Sequence, residues 1–464
     1  MKVTVLGGSP KGETSVTMQY VEFLKTNFSE HEFAIHQPAF NIAALEKEKT
    51  KFDPIMNDVR DAGLVLWAFP LYVFTICSQY QRFIELIEEN GRAESFRGKY
   101  AAALSTSIHF FDHTAHNYIR AVSDDLGMNF TGSFSAHMND LLDAKMRKNL
   151  ILFFENSLSM ARAQVPVTHA YSPIRREAVV YTPGALPAAI DSGGKKVVIV
   201  TDGNEGNTGK MIKRLSAAFQ PLPELVDISA LDIKGGCLGC LKCGPANVCS
   251  YTDKDAFIEM FREKIMKADI IFYAGAMKGR HLSSRWKMFF DRSFFNTHQR
   301  ALPGKQLAFL ISGPLSQNFN LREILTAYAE WQNANLVDIV TDEKPENIDA
   351  AISNLAEKAV EFSGKGYLKP VTFLGFAGMK VFRDDVYSDL RVVFRADHRV
   401  YKKTGVFDFP QNKPFKNFML AVMSGIIGIP WVTKKVTGNF KKIMIMPYRG
   451  VIKLKIRDAK EAGQ

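Results

Sequence analysis

The sequence predicts an α/β chain built as two tandem, doubly wound parallel sheets with a basic C-terminal extension. Three observations carry this. Short, almost wholly apolar runs alternate with helical patterns, as strands buried on both faces do. The strand–turn–helix pattern starts twice, at Lys2 and again at Lys195. Residues 70–86 also align without gaps to 276–292, sharing Ser78/Ser284, Phe83/Phe289 and the acids Glu85/Asp291, which reads as an internal duplication. The expected domains are 1–180, 195–365 and an extension over 366–464. The stretch 166–194, with Pro173, Pro183, Gly184, Pro187, Gly193 and Gly194, is the expected linker.

A length of 464 residues suits two or three domains, and 46% hydrophobic with 23% charged residues is the balance of a soluble protein with real cores. Of five cysteines, four are clustered, which suits thiols kept reduced rather than a secreted disulfide framework. With a strand opening the chain and no signal-like segment before it, the expected location is cytoplasmic. The net charge of +11 is local: residues 395–464 hold 15 Lys+Arg and 4 Asp+Glu, leaving 44 of each sign elsewhere. The body therefore makes no electrostatic case for nucleic acid.

In the first copy, residues 2–8 read as a buried strand. Residues 9–17, Ser-Pro-Lys-Gly-Glu-Thr-Ser-Val-Thr, form a hydroxyl-rich turn into a helix. A helix start offers N–H groups and a positive dipole end to a phosphate. The turn lacks the Gly-Lys-Ser/Thr of a Walker loop and the Gly-x-Gly-x-x-Gly of a dinucleotide site. A weak strand at 33–37 and a strong one at 63–69 follow, the latter ending in Pro70-Leu71-Tyr72-Val73. Strands at 99–104, running into Ser105-Thr106-Ser107, and near 129–135 complete the copy. His109, Asp112, His113 and His116 come next; a polar helix start capped by Asp112 is the simpler reading, a proton donor the sharper one. Cys77 reads as a packed apolar thiol.

The second copy restarts at 195–201 with a turn, Thr201 to Thr208, that again carries Gly and hydroxyls. Further strands are expected at 224–229, 268–274 and 305–312, and helices at 255–267 and through 327–334. Between strand 224–229 and the helix after it runs Cys237-x2-Cys240-x2-Cys243-x5-Cys249. Two-residue gaps let neighbouring sulfurs point to one side of a tight turn, and Gly235, Gly236, Gly239 and Gly244 let the loop wrap. Closely spaced thiols suit an iron–sulfur cluster better than zinc, which takes separated pairs. A zinc-bound or metal-free thiol loop remains the alternative.

Gly-Ser-Pro-Lys with its Ser/Thr-rich continuation, then Pro-x-Tyr after the third strand, resembles the NADPH-dependent FMN reductase group of flavodoxin-like proteins. The resemblance implies that Ser9, Lys11, Ser15 and Thr17 take the FMN phosphate. It implies too that Pro70, Leu71, Tyr72 and Val73 line the flavin, which Ser105, Thr106 and Ser107 approach. In the second copy it points to Thr201, Asn204, Gly206, Asn207 and Thr208 as the matching phosphate turn. There Ala276 and Lys278 replace Pro70 and Tyr72, so flavin is expected in the first copy, and Lys278 is expected to meet a phosphate or a substrate carboxylate. The cysteine loop is similar to that of the iron–sulfur flavoproteins, which implies a [4Fe–4S] cluster on Cys237, Cys240, Cys243 and Cys249.

The function expected from this is an FMN-dependent NAD(P)H oxidoreductase passing electrons through flavin and cluster to an acceptor, small molecule or protein. The alternative is an electron carrier without turnover, or a flavoprotein with a structural zinc or thiol loop. Residues 367–464 have no counterpart in the first copy. Their apolar run 418–432 is 15 residues, short of the ~20 a bilayer needs, and Gly425, Gly428 and Pro430 interrupt it. With Lys413, Lys416, Lys434, Lys435, Lys441 and Lys442 beside it, the run is expected to pack on the domains, lid a site or join subunits of a homo-oligomer. Peripheral contact with an anionic membrane is the other reading.

Overall fold

The computed structural model describes residues 1–446 except 178 and 187, and for 438–443 the backbone alone. Pro187 of the expected linker, the side chains of Lys441 and Lys442, and the basic stretch 447–464 lie outside the described residues. The chain divides into two compact units, Met1–Tyr401 and the residues from Lys402 on, and both large sheets lie in the first.

The first sheet comprises β1 (Lys2–Gly7), β2 (Glu32–His36), β3 (Leu64–Pro70), β4 (Tyr100–Ser107) and β5 (Asn129–His137), all parallel, in the order β2-β1-β3-β4-β5. The main path of the second is β6 (Val197–Thr201), β7 (Glu224–Asp227), β8 (Ile270–Lys278), β9 (Gln306–Ser312) and β10 (Asn335–Thr341), ordered β10-β9-β8-β6-β7, with the two-residue strand His281–Leu282 antiparallel on β8. Counted from its own first strand, each sheet is the doubly wound 2-1-3-4-5 arrangement, which leaves a crevice beyond the carboxyl ends of strands one and three. Central strands are buried on both faces because helices cover them: all eight residues of β4 are buried, its polar Ser105–Ser107 end included, and so are Leu64–Phe69 of β3.

Some boundaries differ from the sequence reading. β4 runs on to Ser107, so Ser105, Thr106 and Ser107 are strand, not loop. The edge strand β10 is missing from that reading, because its half-exposed alternation lacks the continuous apolar run of the central strands. The helix expected to reach Ala334 spans Phe319–Trp331, and the one expected at 255–267 starts at Phe257 and widens to a π-turn over Phe261–Ile265. Helices Phe373–Tyr387 and Arg395–Lys403 follow the second sheet.

The helices that position the site are α1 (Val16–Asn27), α2 (Ser78–Glu89), α3 (Asp112–Asp125), α4 (Gly206–Ala217) and α5 (Ser284–Ser293). α2 packs against α5, joining the two sheets' halves at matching positions. In the second unit, α6 (Pro414–Ile427) and α7 (Pro430–Ile445) meet at a bend of 99°. Gly425 sits inside α6; the break falls at Gly428–Pro430, where Pro starts the next helix. No single described helix is long and apolar enough to cross a membrane.

Candidate functional site

The turn after β1 is built by its own hydroxyls. Ser9 Oγ accepts the N–H of Lys11 (3.2 Å), and Ser15 caps α1 by accepting the N–H of Met18 (3.3 Å). Thr17 and Thr106 hydroxyls lie 2.6 Å apart, tying this turn to the end of β4. Ser9, Ser15 and Thr17 are each only 1% exposed. Lys11 is half-buried, and burial lowers its ammonium below the usual lysine range. Beside it the chain leaves β3 at Pro70; the N–H of Leu71 bonds Thr106 O (3.1 Å), and Tyr72 and Thr75 exchange backbone bonds at 2.7 and 2.9 Å. Val73 is half-buried at the tip of this turn. Phe74 holds it in the left-handed region (φ 62°), and burial raises the Tyr72 phenol well above its usual value.

Ser105 Oγ meets His116 Nε2 at 2.8 Å, and Ser107 Oγ accepts the N–H of His109 (2.9 Å). Among the described residues, buried atoms of Gln37, Thr75 and His116 (its Nδ1) have no hydrogen-bond partner. All three residues lie at the carboxyl-end side of the first sheet, beyond β2, β3 and β4. Unpaired buried polar atoms at a sheet's ligand-binding end fit a polar ring system that would satisfy them.

The cysteine loop of the second half closes over this corner. Gln79 Nε2 donates to Cys237 O at 3.0 Å. Gly236 lies against Ser78 and Gln79, and Gly239 (φ +61°) against Tyr72; a Cβ on Gly239 would sit 2.1 Å from Tyr72 Oη. No larger residue fits so close an approach, which gives two of the loop's glycines a reason beyond flexibility.

Cys237, Cys240, Cys243 and Cys249 line one cavity with Leu238, Phe294 and others. Its free volume of about 30 Å³ is room for a water or two, so a cluster needs the loop to widen. Among the described residues, no group of three or more His, Cys, Asp or Glu converges to hold a single metal ion. The four thiols thus line one small cavity without converging as a set of ligands. Burial pushes the Cys243 thiol up to about 12 and raises that of Cys237 too. The loop is anchored from below: Arg292 donates to Gly235 O (2.8 Å) and forks onto Asp255 (2.8 and 2.9 Å) while lying 4.1 Å from the ring centre of Tyr251. Asn247 bonds Thr297 Oγ1 at 3.1 Å.

Residues 1–140 match the family model described as NADPH-dependent FMN reductase. The first domain is an NADPH-dependent FMN reductase domain. By that membership it is a flavin-dependent oxidoreductase module using FMN and NAD(P)H. No curated protein matches the chain. Solved structures similar to it include an NADH:FMN oxidoreductase (EMOB) in its apo form, 15% identical, covering 36% of this chain and 91% of its own at a TM-score of 0.30. An azoreductase from Bacillus anthracis is 14% identical, covering 35% and 99% at 0.25. A general stress protein 14 from Treponema denticola, in complex with FMN, is 11% identical, covering 35% and 98% at 0.26.

The second copy departs from the FMN reductase domain at the matching places. Asn207 accepts the N–H of Tyr181 (3.0 Å) and donates to Val179 O (2.8 Å) and Asp342 Oδ2 (2.7 Å), while Lys210 reaches Tyr181 O (2.8 Å). The linker thus lies across the turn expected to take a phosphate. Thr201 serves the turn itself through Gly203, the carbonyl of Asn204 packs under Gly209, and Gly206 adopts φ +55° to enter α4, where Thr208 is buried. Lys278, expected to meet a phosphate or a substrate carboxylate, pairs instead with Glu89 (2.5 Å) and Glu85 (3.5 Å) of the reductase domain. Arg82 joins them, bonding Glu46, Glu85 and Glu89. An ion-pair network fills the place that Tyr72 holds in the first copy.

Sequence reasoning missed Gln79, whose only signal is its position in the first turn of α2. It also underrated a hydrogen-bonded chain in the reductase domain. Asp112 accepts from Ser135 Oγ (2.6 Å) and meets His109 Nδ1 (2.8 Å); Ser135 lies 3.4 Å from Ser105, which meets His116. Asp112 accepts the N–H of His113 (3.1 Å) but is the first residue of α3 rather than its cap; Phe111, in the left-handed region, stands at the N-cap with no side-chain bond to the helix. Cys77 is the packed thiol expected, fully buried, donating to Gly8 O (3.2 Å) and pushed up to about 12 by burial.

Proposed function

We propose that the chain is an FMN-dependent NAD(P)H oxidoreductase with one flavin, held by the first domain, and a second redox centre on the cysteine loop of the second. The observation that carries this reading is the bond from Gln79, beside the flavin loop, to the carbonyl of Cys237. In it, the start of α1 with Lys11 neutralises the phosphate, while Pro70, Leu71, Tyr72 and Val73 line the ring. FMN takes a hydride and releases electrons singly, and a cluster of four cysteines moves one at a time. The chain's own part is to hold the two sites against one another and keep water out between Tyr72 and Gly239. His116, kept neutral by burial, and Ser105 offer a proton path beside the site.

The test is anaerobic purification followed by FMN, iron, sulfide and zinc analysis and an absorption spectrum. A single FMN per chain with iron and sulfide in equal amounts is the expected result. Zinc without iron would remove the second redox centre, and flavin that oxidises no NAD(P)H with any of several acceptors would make the protein a carrier.

A further inference from the structure

We infer that the helical pair α6–α7 is a membrane-surface anchor whose partner is an anionic lipid bilayer. No residue of α6 is buried. Phe415, Phe418, Leu420, Met423 and Ile426 are each at least half exposed, as is Trp431 at the start of α7. From Phe418 on, α6 reads Phe-Met-Leu-Ala-Val-Met-Ser-Gly-Ile-Ile, with Ser424 the lone polar side chain of that run. A helix that docks in a protein groove keeps one apolar stripe and a polar back. One that is apolar all round belongs in a core or in lipid.

Charge selects the lipid. Between Phe409 and Arg457 the sequence has ten Lys or Arg and no Asp or Glu. Lys413 and Lys416 stand at the start of α6, and Lys434 and Lys435 in the first turns of α7, so cations flank the apolar stretch on both sides. Each basic residue at an anionic surface strengthens binding about fivefold. Geometry selects the mode. The 14 residues of α6 are too short to span a bilayer, and the 99° bend at Gly428–Pro430 turns the chain before it could. The pair therefore enters one leaflet and returns, or lies in its plane, with lysines at headgroup level.

The experiment uses the full chain with mixed phosphatidylcholine–phosphatidylglycerol vesicles, with pure phosphatidylcholine vesicles and with none. Co-sedimentation with the mixed vesicles alone, weakened by salt, is expected. Lys413→Gln, Lys416→Gln and Lys434→Gln together should weaken it by on the order of a hundredfold. Phe418→Glu with Ile426→Glu should abolish it, the melting temperature staying unchanged because these side chains are exposed. Trp67, Trp286 and Trp331 are at most 6% exposed against 69% for Trp431, so quenching by brominated lipid chains reads Trp431 directly. Equal pelleting with and without vesicles, or equal binding to both vesicle types, would overturn the proposal. So would a lipid-free dimer that Phe418→Glu and Ile426→Glu dissociate, which would reassign the pair as a subunit contact.

Discussion

Asp291 of the second half accepts the first N–H of helix α2, that of Ser78, at 2.7 Å, and Glu85 of α2 accepts the first N–H of α5, that of Ser284, at 2.6 Å. These are the residue pairs that align in the two copies, so the halves meet as the protomers of a two-fold dimer do: i touches j and j touches i. Each acid satisfies an orphan N–H at the other helix's start and favours its positive end.

Removing one acid should therefore cost more than a surface cap. Asp291 is fully buried and paired with Lys287, so Asp291→Ala leaves a buried lysine unmatched and should lose about 3–5 kcal/mol. Glu85→Gln keeps the shape and an acceptor, and should cost roughly 1–2 kcal/mol. Urea unfolding at neutral pH reads both; equal small losses would show that the reciprocal contact contributes little.

The approach of the cysteine loop to Tyr72 depends on a missing side chain. Gly239→Ala puts a methyl 2.1 Å from Tyr72 Oη at a positive φ and should destabilise by about 1–3 kcal/mol. Adding Tyr72→Phe removes the clashing oxygen and should recover part of the loss. Protease sensitivity of the loop in the two variants is the check; no recovery would mean backbone strain alone sets the cost.

Flavin content should separate the copies. Lys11→Ala is expected to weaken FMN binding roughly ten- to a hundredfold, the worth of a charge-assisted bond. Asn207→Ala, in the turn that the linker already occupies, should leave FMN content unchanged and cost about 1–2 kcal/mol of stability. FMN titration by fluorescence quenching decides, and a loss of flavin in Asn207→Ala would restore the second site.

The four loop cysteines and Cys77 should behave differently. Serine at Cys237, Cys240, Cys243 or Cys249 should lower iron in anaerobically purified protein while FMN stays bound. Cys77→Ser should change neither, since that thiol donates to Gly8 O and touches no loop cysteine through a hydrogen bond. Metal analysis beside the flavin absorbance distinguishes these outcomes.

Acid should act through His116. Burial holds it neutral, lowering its pKa from 6.5 to about 4. A base depressed in the fold lets the unfolded chain take the proton first, so stability is full above pH 6.5 and falls as pH drops towards 4. The loss amounts to at most about 3 kcal/mol. His116→Gln should flatten the decline in urea midpoint between pH 7 and 4.5; an unchanged slope would assign the decline to other groups.

Both sheets were legible because central strands must be apolar on two faces, and few other patterns give runs such as residues 64–69. The correspondence of residues 70–86 with 276–292 was legible because Ser78, Glu85, Ser284 and Asp291 recur at fixed spacing. The four cysteines were legible as a group because two-residue gaps hold the first three in one turn and the fourth follows after only five residues. Tertiary structure alone decided the rest. That Gln79 reaches Cys237 across 158 positions, that Gly239 rests on Tyr72, that the linker covers Asn207 and that Glu89 claims Lys278 are all contacts between distant segments. Local pattern encodes what a residue is suited to touch; which partner it meets depends on how two sheets are docked, and no window of sequence contains that.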